Sequence, residues 1–142
     1  MREAAGDIWD YLGRAVVCIT TNGTVSAKGK AVLGRGCAKQ AGERFPDLAM
    51  RLGALISREG NRVHPLGNGL VSFPVEETAW SNPDTALIRR SARELKELAD
   101  ACGWREIVVP RPGCGGGGLP WNEVRPLLEG VLDDRFLVIT MA

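Results

Sequence analysis

The stretch Glu106-Ile107-Val108-Val109-Pro110-Arg111-Pro112-Gly113-Cys114-Gly115-Gly116-Gly117-Gly118-Leu119-Pro120-Trp121-Asn122-Glu123 decides the fold. Its first part, Glu106–Pro110, is a short β-branched run that reads as a strand. Its middle is almost pure glycine. Beyond it, Glu123–Leu132 has the apolar spacing of an amphipathic helix with Asn122 as cap. Glycine permits positive φ and lets backbone N–H groups approach a ligand with no Cβ in the way. Donors gathered at a helix N-terminus make an anion site.

The same unit occurs earlier. Arg14–Thr20 reads as a buried strand, and Gly23, Gly29, Gly34, Gly36 and Gly42 follow it. Gly36–Ser57 then reads as helical, with Pro46 restarting or kinking it, because proline fits best in a first turn. Charge agrees with this reading. Between Asp10 and Glu43 there is no acid, but Arg14, Lys28, Lys30, Arg35 and Lys39 are all cations. Between Glu106 and Glu123 the only charge is Arg111. Two acid-free, glycine-rich turns, each after a strand, point to a diphosphate held between them.

The remaining elements complete the class. Val63–Leu66 and Leu70–Val75 read as strands joined around Gly67-Asn68-Gly69, a tight-turn signal. Asp84–Cys102 carries Leu87, Ile88, Ser91, Leu95, Leu98, Ala99 and Cys102 as one helical stripe, with Gly103 as a stop. Arg135–Thr140 is a last strand. Alternating strands and helices predict one domain over 1–142, a three-layer α/β/α sandwich around a mixed or mostly parallel sheet. Ligands are expected outside the carboxyl ends of its strands.

Composition narrows the function. The chain has 142 residues, 44% of them hydrophobic and 25% charged, with a formal net charge of +1. That balance weighs against a broad duplex-binding face. The longest apolar runs, such as Ala15–Ile19, fall far short of a ~20-residue membrane span. There is no CxxC, and His64 is the only histidine, so no metal site is expected. The thiols are expected to stay reduced in the cytoplasm. A P-loop fails because Lys30 is followed by Ala31. A Rossmann fingerprint fails because Lys39 stands where glycine is needed after Gly34-Arg35-Gly36.

Several segments together resemble a macro domain. They are Gly6-Asp7-Ile8, the strand entering Thr21-Asn22-Gly23, Gly29–Gln40, Phe73-Pro74-Val75 and Pro112–Trp121, in order from about residue 5 to 140. The likeness is greatest to the branch of terminal ADP-ribose glycohydrolases and DNA ADP-ribosyl glycohydrolase antitoxins, including phage-type single-domain members. It implies an ADP-ribose cleft with no cofactor. By position, Asp7 would accept from the adenine amino group with Ile8 nearby, and Asn22 would face the distal ribose. Gly34, Arg35, Gly36, Cys37 and Ala38, with Gly113, Cys114, Gly115, Gly116, Gly117 and Gly118, would wrap the diphosphate and that ribose. Trp121 is expected to pack the second loop.

The resemblance breaks where chemistry would occur. The branch typically has a lysine directly after Phe-Pro-x, and here the residue is Glu76. Some members also use an aspartate where Gly117 stands. A glutamate can act as a general base for water or as a nucleophilic carboxylate. Lys30, with Lys28, is a candidate stand-in for the missing lysine. Cys114 sits beside backbone donors that lower a thiol pKa, and a dyad with His64 is the further alternative. Trp80 could cover a ligand, or pack in the core or as a lid. Cys18, Cys37 and Cys102 read as small buried apolar residues.

Two functions are compatible with these residues. One is a hydrolase cutting a bond at the distal ribose, from a modified macromolecule or from an acyl or phosphate derivative. The other is a non-catalytic ADP-ribose reader. The macromolecule could be protein or nucleic acid, no membrane partner is expected, and a monomer is.

Overall fold

The computed structural model describes residues 1–141. Six strands form one sheet in the order β1-β6-β5-β2-β4-β3. They are β1 (Arg2–Gly6), β2 (Val16–Asn22), β3 (Pro65–Gly67), β4 (Leu70–Glu76), β5 (Ile107–Pro110) and β6 (Phe136–Met141). Every pairing is parallel except β3 with β4, so the sheet is mixed. The helices are α1 (Gly36–Arg44), α2 (Leu48–Glu59), α3 (Thr85–Cys102) and α4 (Trp121–Glu129), with a short 3-10 turn at Ile8–Tyr11.

Strand alternation builds the layers. Val17, Ile19, Val108, Leu137 and Ile139 point to one face, where Ala41, Leu48 and Leu52 of α1 and α2 cover them. Cys18, Ile107, Val109, Phe136 and Val138 point to the other, against Ile88, Leu95, Val124 and Leu128 of α3 and α4. A period of two on interior strands and of 3.6 on flanking helices thus produces three layers.

Local chemistry sets the element ends. Asp84 caps α3 by accepting from the N–H groups of Ala86 and Leu87, and Gly103 closes it in the left-handed region at φ 68°. Pro46 lies in the break between α1 and α2, as its missing N–H requires. Helix α4 starts at Trp121 behind Pro120, two residues before the expected start, and Asn122 is inside the helix and does not cap it. Cys102 is exposed, because the buried stripe of α3 ends at Ala99. Cys37 is only half-buried.

One element at the N-terminus has no local signature. Strand β1 is an edge strand with largely exposed side chains. It is held by its ladder to β6 and by Glu3, which accepts from Trp121 Nε1 at 3.0 Å and Arg125 Nε at 2.7 Å. The Arg125 hydrogen bond, foremost, holds the Glu3 carboxyl below the usual glutamate range. This clasp is complete above the ordinary glutamate pKa and is lost as pH falls through the lowered folded value.

The segment after β2 folds down onto α2. Ala31 donates to the Ala49 carbonyl at 2.8 Å, and a Cβ on Gly53 would lie 2.1 Å from the Gly29 carbonyl oxygen. Glycine is therefore required in the middle of a helix, where alanine is ordinarily better by about 1 kcal/mol. The variant Gly53→Ala is expected to lose about 1–3 kcal/mol in chemical denaturation, the usual cost of overpacking. A gain in stability would contradict this packing.

Candidate functional site

Strands β2 and β5 are neighbours, but their chains leave in opposite directions: β2 to α1 on one face, and β5 to α4 on the other. Such a divergence opens a crevice at the carboxyl ends of a parallel sheet. Here it is a cleft of about 640 Å³. Its walls are Gly34–Ala38 from the first loop and Gly113–Gly117 from the second, with Thr20, Thr21, Asn22, Val75 and Glu76 at the strand ends.

The first wall ends in a helix N-terminus. Helix α1 begins at Gly36, and no side chain caps it. The opening N–H groups of an α-helix have no partner within it, and here those residues line the cleft. The second wall is a closed turn. Leu119 donates to the Gly113 carbonyl at 2.9 Å and Gly118 to Gly115 at 3.2 Å, with Gly113 and Gly118 at φ 73° and 79°. A Cβ on Gly117 would stand 2.6 Å from Pro83 Cγ and 2.7 Å from the Gly113 carbonyl oxygen. An aspartate cannot enter there without moving the loop.

Glu76 is set with care. It ends β4, is only 8% exposed, and lines the cleft. The β2–β4 register shifts between Thr21 and Asn22, so that Asn22 pairs with Glu76 and Val75 is skipped. Such an irregularity re-aims side chains. The Glu76 carbonyl accepts from Asn61 Nδ2 at 3.1 Å, and Gly23 donates to the Glu77 carbonyl at 3.2 Å. The Glu76 carboxylate is itself engaged: Arg35 Nη2 donates to its Oε2 at 2.9 Å. Arg35 Nη1 also reaches the Gly116 carbonyl at 3.5 Å, so one guanidinium spans both loops and the β4 end.

The other expected residues divide. Asn22 lines the cleft with its amide fixed, donating to the Val32 carbonyl at 3.1 Å and accepting from the Thr24 N–H at 2.9 Å. Asp7 lies in a second recess of about 320 Å³, lined also by Trp9, Gln40, Glu43 and Arg44. The two recesses meet at Met141, which lines both. Asp7 Oδ1 accepts from the Trp9 N–H at 3.0 Å and opens the 3-10 turn. The Ile8 side chain is entirely buried in the core and lines neither recess.

Lys30 and Lys28 are exposed on the segment that folds over α2 and are not in the cleft wall. Gly118 sits at the outer end of its turn, also outside the wall. Trp80 is 84% exposed in the 77–84 segment, so it is not core, and it does not line the cleft. Trp121, expected to pack the second loop, also lines the cleft, with its Nε1 donating to Glu3 and the Arg111 guanidinium 4.8 Å from its ring centre.

Cys114 behaves opposite to expectation. Burial pushes its thiol up from the usual value, and the Arg111 charge offsets this only in part. Its S–H points to the Pro112 carbonyl at 3.5 Å. His64 is buried beside Ser72 of β4 and does not line the cleft, its Nε2 2.9 Å from the Gly60 carbonyl and its Nδ1 3.8 Å from Glu59. No Cys–His dyad forms. Among the described residues no group of three His, Cys, Asp or Glu side chains gathers as a metal site, and no helix is long and apolar enough to cross a membrane.

The architecture is that of a macrodomain. The macrodomain of Thermus aquaticus DarG superposes with a TM-score of 0.79 at 23% identity, covering 99% of this chain and 97% of that one. Thermosipho africanus DarTG in complex with ADP-ribose superposes at 0.75 and 20% identity, over 96% of this chain and 40% of that one. In sequence, the chain is similar to a DNA ADP-ribosyl transferase-DNA ADP-ribosyl glycohydrolase fusion protein of Thermosipho africanus, at 26% identity over 74% of this chain. The match spans 34% of that relative, about a third of its length. No family model matches the chain.

Two measurements test this geometry. Cys114 is expected to react with iodoacetamide at pH 8 more slowly than exposed Cys102, read by peptide mass spectrometry; the reverse order would contradict its burial. Gly117→Asp is expected to lower the melting temperature, as overpacking by about 1–3 kcal/mol would. An unchanged melt would mean the turn has room for a side chain.

Proposed function

We propose that the chain binds ADP-ribose and hydrolyses a bond at its distal ribose. The observation that carries this reading is the pair of glycine loops facing one another across the crevice, with Glu76 on the wall between them. In this reading the diphosphate lies against the N–H groups of Gly36–Ala38 and of the Gly113–Gly117 turn. The adenine end reaches past Met141 toward Asp7, whose carboxylate suits an exocyclic N–H donor. The distal ribose faces Asn22 and Glu76. The Thermosipho structure with ADP-ribose supports the ligand, and the similar fusion protein supports release of ADP-ribose as the reaction class.

Glu76 is the base in this mechanism. Its carboxylate takes a proton from water, whose oxygen bonds to the anomeric carbon as the bond to the departing group breaks. The departing group leaves with the electron pair and takes a proton from solvent, and Glu76 returns its proton to solvent. Arg35 and the loop N–H groups stabilise the charge on the adjoining phosphates. Lys30 is assigned no role in this mechanism, because it does not line the cleft.

A second reading, a reader without turnover, draws on one observation: the Glu76 carboxylate already has a cationic partner in Arg35. Incubation with ADP-ribosylated DNA, ADP-ribosylated protein and O-acetyl-ADP-ribose decides between the two. Turnover of one of them is expected, with Glu76→Gln slowed about 10²-fold or more, the usual weight of a general base. Calorimetric binding of ADP-ribose with no turnover on any of the three would leave the reader.

A further inference from the structure

Of the two arginines that line the cleft, Arg111 stands over the Trp121 ring and Arg35 bridges the walls, and the groups Arg35 touches do not belong together by sequence. It stands at the mouth of α1. Its Nη2 is 2.9 Å from Glu76 Oε2, 41 residues away, and its Nη1 is 3.5 Å from the Gly116 carbonyl of the opposite loop. Its side chain is 59% exposed, whereas that of Glu76 is 10% exposed. The pair is therefore unequal: the carboxylate is fixed in the wall, and the guanidinium is free to turn toward solvent. The aliphatic stem crosses the second loop, where a Cβ on Gly116 would be 3.5 Å from Arg35 Cδ. An anion placed between the loops would sit beside this guanidinium.

We propose that Glu76 and a ligand's diphosphate compete for Arg35. A guanidinium presents its donors as a planar fork that matches phosphate as well as carboxylate. A diphosphate carries more charge than the single carboxylate, and the exposed arm can swing to it. The entering ligand draws Arg35 off Glu76, and the carboxylate is freed at the position where it would act on water. Arg35 is thus a positioning residue: it recognises the diphosphate and, through that contact, sets the state of Glu76. The proposal rests on the ADP-ribose reading and adds to it a coupling between phosphate recognition and the unmasking of the base.

The alternative arrangement has one guanidinium serving both anions at once, and the two differ in sign. Under competition, Glu76→Gln releases Arg35 and tightens ADP-ribose binding about two- to five-fold, the range of a partly exposed ion pair. Arg35→Gln weakens binding about ten-fold or more, as loss of a charge-assisted contact does. In the double variant, Glu76→Gln adds nothing to Arg35→Gln. Adenosine, which lacks the diphosphate, shows neither effect. Titration calorimetry of the four proteins with both ligands reads all of this, and thermal melts confirm that each is folded.

Weaker binding by Glu76→Gln would overturn competition in favour of simultaneous contact. Equal tightening in both backgrounds would reduce the effect to repulsion between Glu76 and phosphate, independent of Arg35, and would also overturn it. If ADP-ribose gives no heat with the wild-type chain while the melts are normal, the ligand reading falls and the exchange falls with it.

Discussion

Two glycine-rich loops face each other across the carboxyl end of the sheet, and the rest of the site depends on this. The crevice between them exists because β2 and β5 are parallel neighbours whose chains leave to opposite faces. Glycine also lets the second loop fold tightly on itself: one added carbon atom on Gly117 would collide with Pro83 and with the Gly113 carbonyl of the same turn. The backbone N–H groups exposed this way form a fixed set of donors that a side chain would have obstructed.

Much of this was legible in the chain itself. Short β-branched runs named the interior strands. The 3.6-residue stripe from Leu87 to Cys102 gave α3, although its buried part ends at Ala99, and the glycine clusters gave the cleft walls. What escaped the sequence reading has physical reasons. Strand β1 is an exposed edge with no apolar alternation, and it is held by tertiary contacts with β6, Trp121 and Arg125. The placement of Lys28 and Lys30 depends on whether the 23–31 segment folds over the cleft or over α2, and the answer lies in the missing Cβ of Gly53. The Arg35–Glu76 contact joins residues 41 apart. Only the loop geometry creates it.

The corrections run in one direction. Nearness to backbone donors suggested a reactive thiol at Cys114, but burial outweighs the Arg111 charge and raises its pKa. Ile8 falls in a motif that suggests ligand contact, yet its side chain is committed to the core beneath the 3-10 turn. In each case a local motif was right about position and wrong about environment. Glu76 is the opposite case. A departure from the expected lysine brings a partner of opposite charge with it, so the substitution and Arg35 are best understood together.

The account's central claim is that the donors for the ligand's diphosphate are the backbone N–H groups of the two glycine loops. Nitrogen-15 NMR titration of the labelled protein with ADP-ribose tests this most directly. The account predicts that the largest amide shifts fall on Gly36, Cys37 and Ala38 and on Gly115, Gly116 and Gly117, saturating together at one ligand per chain. Shifts centred on the 23–31 segment or on the polar face of α3, with those six amides unmoved, would contradict it.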